Sequence, residues 1–133
     1  MKRLATSQSG EKFLLLIDRQ EYWRQHSAAT LKAAGFQVEV LDSYEYSERP
    51  TQQKPDLAIL GCAIVGKDEQ KLIAHLLDLK VHLLVLCTSM SSRVMRTLFL
   101  AGADDVAEKP YNPDHLLNAV THAFKSISSQ PDN

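Results

Sequence analysis

Four short, wholly or partly apolar runs of this sequence are each followed by residues that can take part in chemistry. Asp18 and Arg19 follow FLLLI, Gly61 and Cys62 follow DLAIL, Cys87 and Thr88 follow VHLLVL, and Lys109 follows DVAE. A carboxylate that faces a cationic side chain can form an ion pair, whereas a hard divalent cation requires several oxygen ligands. A thiol in such a place could act as a nucleophile if a base activates it.

The segment from Gly61 to Lys67 is close to the phosphate-binding pattern GxxxxGK[ST]. It lies between an apolar run and a helical pattern, as that loop should. The pattern fails at Asp68, where a carboxylate replaces the hydroxyl that binds Mg²⁺ and would lie near the phosphates. A nucleotide-binding enzyme that uses this loop is therefore kept as the alternative function.

The two cysteines, Cys62 and Cys87, end neighbouring predicted strands, which leaves a redox or thiol role open. Two buried apolar side chains are the simpler interpretation, since free cysteine is usually buried. An enzyme with Cys87 as nucleophile completes the alternative, although His82 lies within a predicted strand and is not positioned as its base. His115 and His122 share a face of the last helix but need a third ligand, so we expect neither a metal nor a cofactor.

Strands and helices alternate along the chain. The apolar runs and FQVEVL predict five strands, and helical spacing predicts helices over residues 20 to 34, 68 to 79, 91 to 100 and 112 to 127. This alternation predicts a parallel sheet with helices on both faces. The expected class is α/β: a flavodoxin-like, three-layer sandwich with strand order 2-1-3-4-5. Pro50 and the lack of aliphatic residues between 42 and 54 leave room for a short or irregular second helix only.

Length, composition and charge limit the classes of protein to which this chain can belong. The 133 residues, 44% of them hydrophobic, suit one domain, with a flexible arm over residues 1 to 11, a folded domain over 12 to 127 and a polar tail or linker start over 128 to 133. A net charge of -1 gives no basic field for nucleic acid, so we expect no direct nucleic-acid binding. No apolar run approaches the roughly 18 to 20 residues of a membrane span, and no signal sequence is present, so we expect a cytoplasmic protein without membrane contact.

The chain resembles a response-regulator receiver domain of the CheY type over about residues 12 to 127. The resemblance rests on FLLLID with Arg24 six residues after Asp18, on AAGFQVEVL, on KPDLAIL and above all on AGADDVAEKPYNP. Receiver domains accept a phosphoryl group on an aspartate at the end of the third strand, and two acids after the first strand help to hold Mg²⁺. A Thr or Ser ends their fourth strand and a Lys ends their fifth. The resemblance implies a bacterial two-component signalling protein.

Matched to that pattern, the phosphorylation pocket of this chain is degenerate. Gly61 replaces the phosphoacceptor, Arg19 the second acid and Cys87 the hydroxyl, with Thr88 beside it, while Asp18 and Lys109 remain. One carboxylate facing two cations predicts an internal ion pair where Mg²⁺ would bind. We therefore expect an atypical receiver domain that is not an enzyme and that acts through phosphorylation-independent protein contacts.

The predicted helix before the fifth strand carries too many apolar residues for one buried stripe. Receiver domains dimerise or bind partners through the face formed by this helix, the fifth strand and the last helix. By resemblance, we expect a protein partner there, namely a kinase, an effector or a second copy in a homodimer. The residues of this partner face are Val94, Met95, Leu98, Phe99, Val106, which takes the place of a switch aromatic, and Tyr111. A crowded core would equally explain the apolar helix.

Overall fold

The computed structural model describes residues 12–42, 54–110 and 112–128, which form five strands and four helices; the strands and helices alternate except that β2 is followed directly by β3 within these residues. In chain order they are β1 (Phe13–Ile17), α1 (Glu21–Ala33), β2 (Gln37–Leu41), β3 (Leu57–Cys62), α2 (Lys67–Asp78), β4 (Leu83–Cys87), α3 (Ser92–Ala101), β5 (Asp105–Glu108) and α4 (Pro113–Ser128). The predicted arm, most of the segment between β2 and β3 that was predicted to hold a short or irregular helix, and residues 129–133 lie outside the described residues. Ser128, placed in the tail by the sequence, is the last residue of α4.

All five strands pair in parallel, in the order β2-β1-β3-β4-β5, which confirms the predicted fold class. Ile17 at the end of β1 aligns with Leu41 of β2 and Leu60 of β3. Cys87 at the end of β4 aligns with Cys62 of β3 and Glu108 of β5. The carboxyl ends of the strands therefore meet along one side of the sheet, which we call the carboxyl edge.

Two hydrophobic cores flank the sheet and complete the three layers. One core lies beneath α2 and α3 and includes Leu15, Leu60 and Leu98; the other lies beneath α1 and α4 and includes Leu16 and Val120. All five residues of β1 are buried, because a central strand with a helical layer on each side has no solvent-facing side. This burial on both faces explains why the sequence of β1, FLLLI, is apolar at every position.

The helix ends follow the capping residues of the sequence. The hydroxyl of Ser91 accepts a hydrogen bond of 3.2 Å from the amide of Val94 at the start of α3. Gly102 ends the same helix with a φ of 122°, a backbone conformation that residues with a side chain rarely adopt. Asn112 accepts a hydrogen bond of 2.7 Å from the amide of Asp114, with Pro113 in the first position of α4. These caps fix where α3 and α4 begin relative to the carboxyl edge.

Candidate functional site

A buried ion pair lies at the centre of the carboxyl edge. Asp18 directly follows β1 and Lys109 directly follows β5, and the Lys109 Nζ atom lies 2.9 Å from Asp18 Oδ2. The side chains of both residues are only 2% exposed. At this depth the attraction between the charges is strong, and neither charge can be left without its partner at low energetic cost.

Two further side chains surround the Lys109 ammonium group. It donates a hydrogen bond of 2.7 Å to Gln20 Oε1, and it lies 4.6 Å from the centre of the Trp23 ring. The ring face attracts the cation electrostatically. The Trp23 indole N–H in turn donates to the Pro110 carbonyl oxygen at 3.0 Å, which ties α1 to the residues after β5. Lys109 is therefore held on three sides, by Asp18, Gln20 and Trp23.

The turn after β1 is built around Asp18. Its Oδ1 atom accepts a hydrogen bond of 2.8 Å from the backbone amide of Gln20, and its backbone carbonyl accepts one of 3.0 Å from Arg24. The first bond orients the carboxylate, and the second holds the backbone of the turn as α1 begins. The Arg24 guanidinium group thus stabilises the turn through the backbone of Asp18.

Gly61, at the penultimate position of β3, lies directly against this ion pair. A Cβ atom at Gly61 would overlap Asp18 Oδ2, and would lie 2.9 Å from Asp18 Cγ and 3.1 Å from the Trp23 ring. Cβ atoms essentially never approach other atoms this closely. The carboxylate of Asp18 therefore occupies the space that any side chain at position 61 would need.

Arg19, the cation next to Asp18 in the sequence, pairs with Asp68 at the surface. Its guanidinium group lies 3.3 Å from Asp68 Oδ2 at the start of α2, and the two side chains are 52% and 62% exposed. The expectation of an internal ion pair thus applies to Lys109, while the second cation forms a surface pair. Surface pairs of this kind contribute about 0–1 kcal/mol to stability.

The thiols of Cys62 and Cys87 at the ends of β3 and β4 are buried, whereas Thr88, directly after β4, is half-buried. The Cys87 thiol lies 3.6 Å from the carbonyl oxygens of Ala63 and Ser89, and the Thr88 hydroxyl lies 3.5 Å from the Cys62 carbonyl. Burial, reinforced by the neighbouring Cys87, raises the pKa of the Cys62 thiol well above its usual range. A protonated, buried thiol is a poor nucleophile.

His82 lies at the other end of β4 from the Cys87 thiol. It directly precedes β4, at the edge of the sheet opposite to the carboxyl edge, and its Nδ1 atom lies 3.6 Å from Asp104 Oδ2. The thiol-enzyme alternative thus gains no base from His82.

We expect alkylation of Cys62 by iodoacetamide at pH 8 to be at least about 100-fold slower in the folded protein than in urea, because its thiol is protonated and shielded. Peptide mass mapping of the alkylated chain measures this rate for each cysteine. Thiol labelling of the folded chain at the unfolded rate would contradict the buried placement.

The loop from Gly61 to Lys67 is not arranged as a phosphate cradle. Gly61 and Cys62 belong to β3, and α2 begins at Lys67. The amide of Gly66 donates a hydrogen bond of 2.8 Å to the Glu69 carboxylate, so an acidic side chain takes a backbone N–H that a phosphate would need. Asp68 adds a second carboxylate in the same turn. The negative charge here favours the interpretation of the loop as a strand-to-helix connection.

Among residues 12–42, 54–110 and 112–128, no cluster of three or more His, Cys, Asp or Glu side chains is placed to hold a metal ion. None of the helices in these same ranges is both long and apolar enough to cross a membrane.

Only some residues of the predicted partner face are exposed. Leu98 is fully buried beneath α3, so its place on that face is wrong: it belongs to the core. Val94 and Val106 are half-buried against the same core, whereas Met95 and Phe99 are 38% and 45% exposed. Tyr111 lies outside the described residues, and Leu100, which the predicted face omits, is 78% exposed on α3.

Sequence reasoning missed Gln20 and Trp23, which complete the surroundings of Lys109. Trp23 lies in the helix predicted over residues 20 to 34, and its side chain packs in the core beneath that helix. Its position at the start of the helix, five residues after Asp18, was the available signal for a place near the carboxyl edge.

Comparisons with known proteins support the fold. No protein-family model matches the sequence, and no curated protein matches it. Solved structures do match: chemotaxis response regulator CheY4 of Vibrio cholerae has a TM-score of 0.75 at 20% identity, over 85% of this chain and 98% of that one. A response regulator from Thermotoga maritima has a TM-score of 0.71 at 22% identity, over 90% and 99%.

A CheY-like receiver domain protein from Methanospirillum hungatei JF-1 has a TM-score of 0.70 at 19% identity, over 90% of this chain and 98% of that one. The described residues therefore have the fold of response-regulator receiver domains of the CheY type. At these identities the likeness establishes the fold, and the function must be argued from the residues at the carboxyl edge.

Proposed function

We propose that this chain is an atypical receiver domain of a bacterial, two-component-type signalling protein, and that it acts in the cytoplasm through protein contacts that need no phosphorylation. The observation that carries the proposal is the Asp18–Lys109 ion pair packed against Gly61. On this proposal the degenerate pocket comprises Asp18, Arg19, Gly61, Cys87, Thr88 and Lys109, the folded domain spans residues 12 to 128, and the domain is not an enzyme.

The chemistry of phosphoryl transfer supports this proposal. An aspartyl phosphate needs a carboxylate nucleophile, and the transfer relies on a metal ion to neutralise the developing charge. Gly61 has no side chain to offer. The carboxylate of Asp18 is committed to Lys109 and to the amide of Gln20, and Arg19 pairs with Asp68. A hard divalent cation would have to displace the Lys109 ammonium group from the buried Asp18 carboxylate.

Incubation with acetyl phosphate and Mg²⁺ should therefore leave the intact mass of the protein unchanged. A conventional receiver domain treated in parallel should gain the mass of one phosphoryl group and serves as the control. A second readout is the fluorescence of Trp23, the single tryptophan of the chain, which contacts Lys109. Its emission should not change as Mg²⁺ is added.

A stoichiometric phosphoryl gain would overturn the proposal, since another acid would then be the acceptor. Asp18 and Asp68 are the acids to examine first in that case, by peptide mapping after borohydride reduction. A saturable change of the Trp23 emission with Mg²⁺ would also count against the proposal, because it would mean that the cation enters the pocket.

For the partner contact, we propose the face of α3 around Met95 and Phe99, flanked by β5 and α4, with a kinase, an effector or a second copy of the chain as the partner. The support is the exposure of large apolar side chains on one short helix: Met95, Phe99 and Leu100. Patches of this kind on a soluble domain commonly mark an interaction site. The homodimer is the version that can be tested with the purified chain alone.

The homodimer predicts that wild-type protein sediments as a dimer and that Phe99→Glu sediments as a monomer, because a charge in an apolar contact loses the partner's packing. Ala29→Glu places the same charge on the exposed part of α1 and should leave the dimer intact. Sedimentation velocity at several concentrations measures this. Identical sedimentation of the wild type and Phe99→Glu would exclude self-association through this face.

A further inference from the structure

α3 is an exposed helix whose charged side chains are all cationic. Its sequence, SRVMRTLFLA, contains Arg93 and Arg96 and no acid. Both arginines are exposed, and neither belongs to any ion pair formed among the described residues. The same short helix carries the exposed apolar side chains of Met95, Phe99 and Leu100. α3 therefore presents apolar side chains together with two cations that have no counterpart in the described part of the chain.

The stability of the helix does not account for these cations. Arg93 lies in the first turn of α3, next to the partial positive charge of the helix N-terminus, where a cation is unfavourable. α1, α2 and α4 each carry an acid in the first turn, whereas α3 has none. No acid of α3 lies three or four residues from Arg93 or Arg96 to form a pair along the helix. Any pairing of these arginines therefore involves a carboxylate from outside the helix.

β5, which packs against α3, carries charges of the opposite sign. Its sequence, DVAE, begins with Asp105 and ends with Glu108. Asp105 Oδ2 lies 3.7 Å from His122 Nε2 of α4, whereas Glu108 is exposed and takes part in no ion pair among the described residues. Because Val106 packs on the core beneath α3, strand alternation places Glu108 on the same side of the sheet. A cationic helix and an exposed carboxylate thus lie next to each other on one side of the molecule.

We propose that α3 and β5 form a self-complementary surface through which two copies of the chain associate, with the arginines of α3 in one copy facing Glu108 of the other. This inference rests on the proposed function, because it takes the same face of α3 and selects the second copy as its partner. A two-fold axis repeats every contact, so one cationic helix and one acidic strand end give two sets of ion pairs in each dimer. The exposed apolar side chains of α3 give the contact area, and the charges determine which surfaces meet.

Salt dependence distinguishes this arrangement from a purely apolar contact. Ion pairs at an interface weaken as the Debye length falls, from about 10 Å at 0.1 M ionic strength to about 3 Å at 1 M. Apolar burial is not screened in this way. The dissociation constant of the dimer should therefore rise at least about 10-fold between about 0.1 M and 1 M NaCl, measured by sedimentation equilibrium. A constant that stays the same or falls over this range would contradict the ion pairs.

Charge reversal tests which surfaces meet. Arg93→Glu/Arg96→Glu makes α3 acidic, and Glu108→Arg makes the end of β5 basic. Each of these two variants alone should dimerise at least about 10-fold more weakly than the wild type, because like charges then face each other in both halves of the dimer. In an equimolar mixture every reversed surface meets one of opposite charge, so the two variants should form a heterodimer with an affinity close to that of the wild-type dimer. Native mass spectrometry identifies this heterodimer, since the two variants differ in mass.

Lys32→Glu/Lys71→Glu is the matched control for the acidic α3 variant. It makes the same change of net charge at exposed positions of α1 and α2, away from α3 and β5. We expect it to dimerise like the wild type and to form no heterodimer in preference to its own homodimer when it is mixed with Glu108→Arg. Circular dichroism shows whether each variant is folded, and association restored in the mixture is itself evidence that both partners are folded.

Three results would overturn the proposed arrangement. The first is a wild-type chain that is monomeric at concentrations up to roughly 1 mM. The second is unchanged dimerisation of either charge-reversed variant alone, and the third is a mixture of the two folded variants without heterodimer. If Phe99→Glu disrupts the wild-type dimer but mixing restores nothing, the face of α3 stands and its pairing with Glu108 fails. None of these results bears on phosphorylation independence, which treatment with acetyl phosphate tests separately.

Discussion

Lys109→Met is expected to lower the free energy of unfolding by about 3–5 kcal/mol, because it leaves the Asp18 carboxylate buried without its cation. The side chains of both partners are 2% exposed, so solvent cannot replace the lost contact without opening the carboxyl edge. Asp18→Asn should have an effect of similar size, since it leaves the Lys109 ammonium group with only Gln20 and the Trp23 ring. Urea unfolding followed by circular dichroism measures both losses.

The double variant Asp18→Asn/Lys109→Met provides the decisive comparison. With both charges gone, most of the penalty for an unpaired buried charge disappears, so the double variant should be more stable than the sum of the single losses predicts. Arg19→Ala is the matched control, because it removes the exposed pair with Asp68 and should change stability by no more than about 1 kcal/mol. Strictly additive losses would mean that the two buried charges do not interact.

Gly61→Asp should destabilise the fold and should not create a phosphoacceptor. The new Cβ would overlap Asp18 Oδ2, and the new carboxylate would lie beside an existing one. Overpacking alone costs about 1–3 kcal/mol. Two carboxylates in one buried site also repel each other, so one of them would be held protonated or expelled. Either outcome removes the charge arrangement that Mg²⁺ would require.

Gly61→Ala separates the two causes of this effect. Gly61 does not have a positive φ, so alanine meets only the overlap with Asp18 and no backbone strain. We expect the order of stability to be wild type, then Gly61→Ala, then Gly61→Asp, measured by thermal unfolding together with intact mass after treatment with acetyl phosphate. A Gly61→Asp protein that is as stable as the wild type and gains one phosphoryl group would show that the pocket can still be restored by one residue.

The fold was predictable from the sequence because its signals are local and periodic. Apolar runs such as FLLLI mark the central strands, and the caps at Ser91 and Asn112 mark helix starts. The ion pair was predictable too, since in a parallel sheet both Asp18 and Lys109 must lie at the carboxyl edge. The pairing of Arg19 with Asp68 was not predictable, because it depends on where α2 places Asp68.

The sequence did not predict which side chains of α3 are buried. Its apolar residues are spread around much of the helix, so periodicity alone could not separate the buried side from the exposed one. Contacts with the neighbouring elements decide it: Leu98 enters the core, while Met95 and Phe99 remain in part at the surface. The roles of Gln20 and Trp23 were equally out of reach, because Lys109 comes from the other end of the sequence.

The contact between Asp18 and Lys109 has a consequence for synthesis of the chain on the ribosome. Asp18 emerges early, directly after an inner strand of the sheet, whereas Lys109, the buried cation that pairs with it, lies beyond the last strand. A nascent or truncated chain that ends before Lys109 must bury an unmatched carboxylate or leave β1 undocked. We therefore expect incomplete chains to be degraded more readily than the finished domain, because only the finished domain contains the cation that pairs with Asp18 at the carboxyl edge.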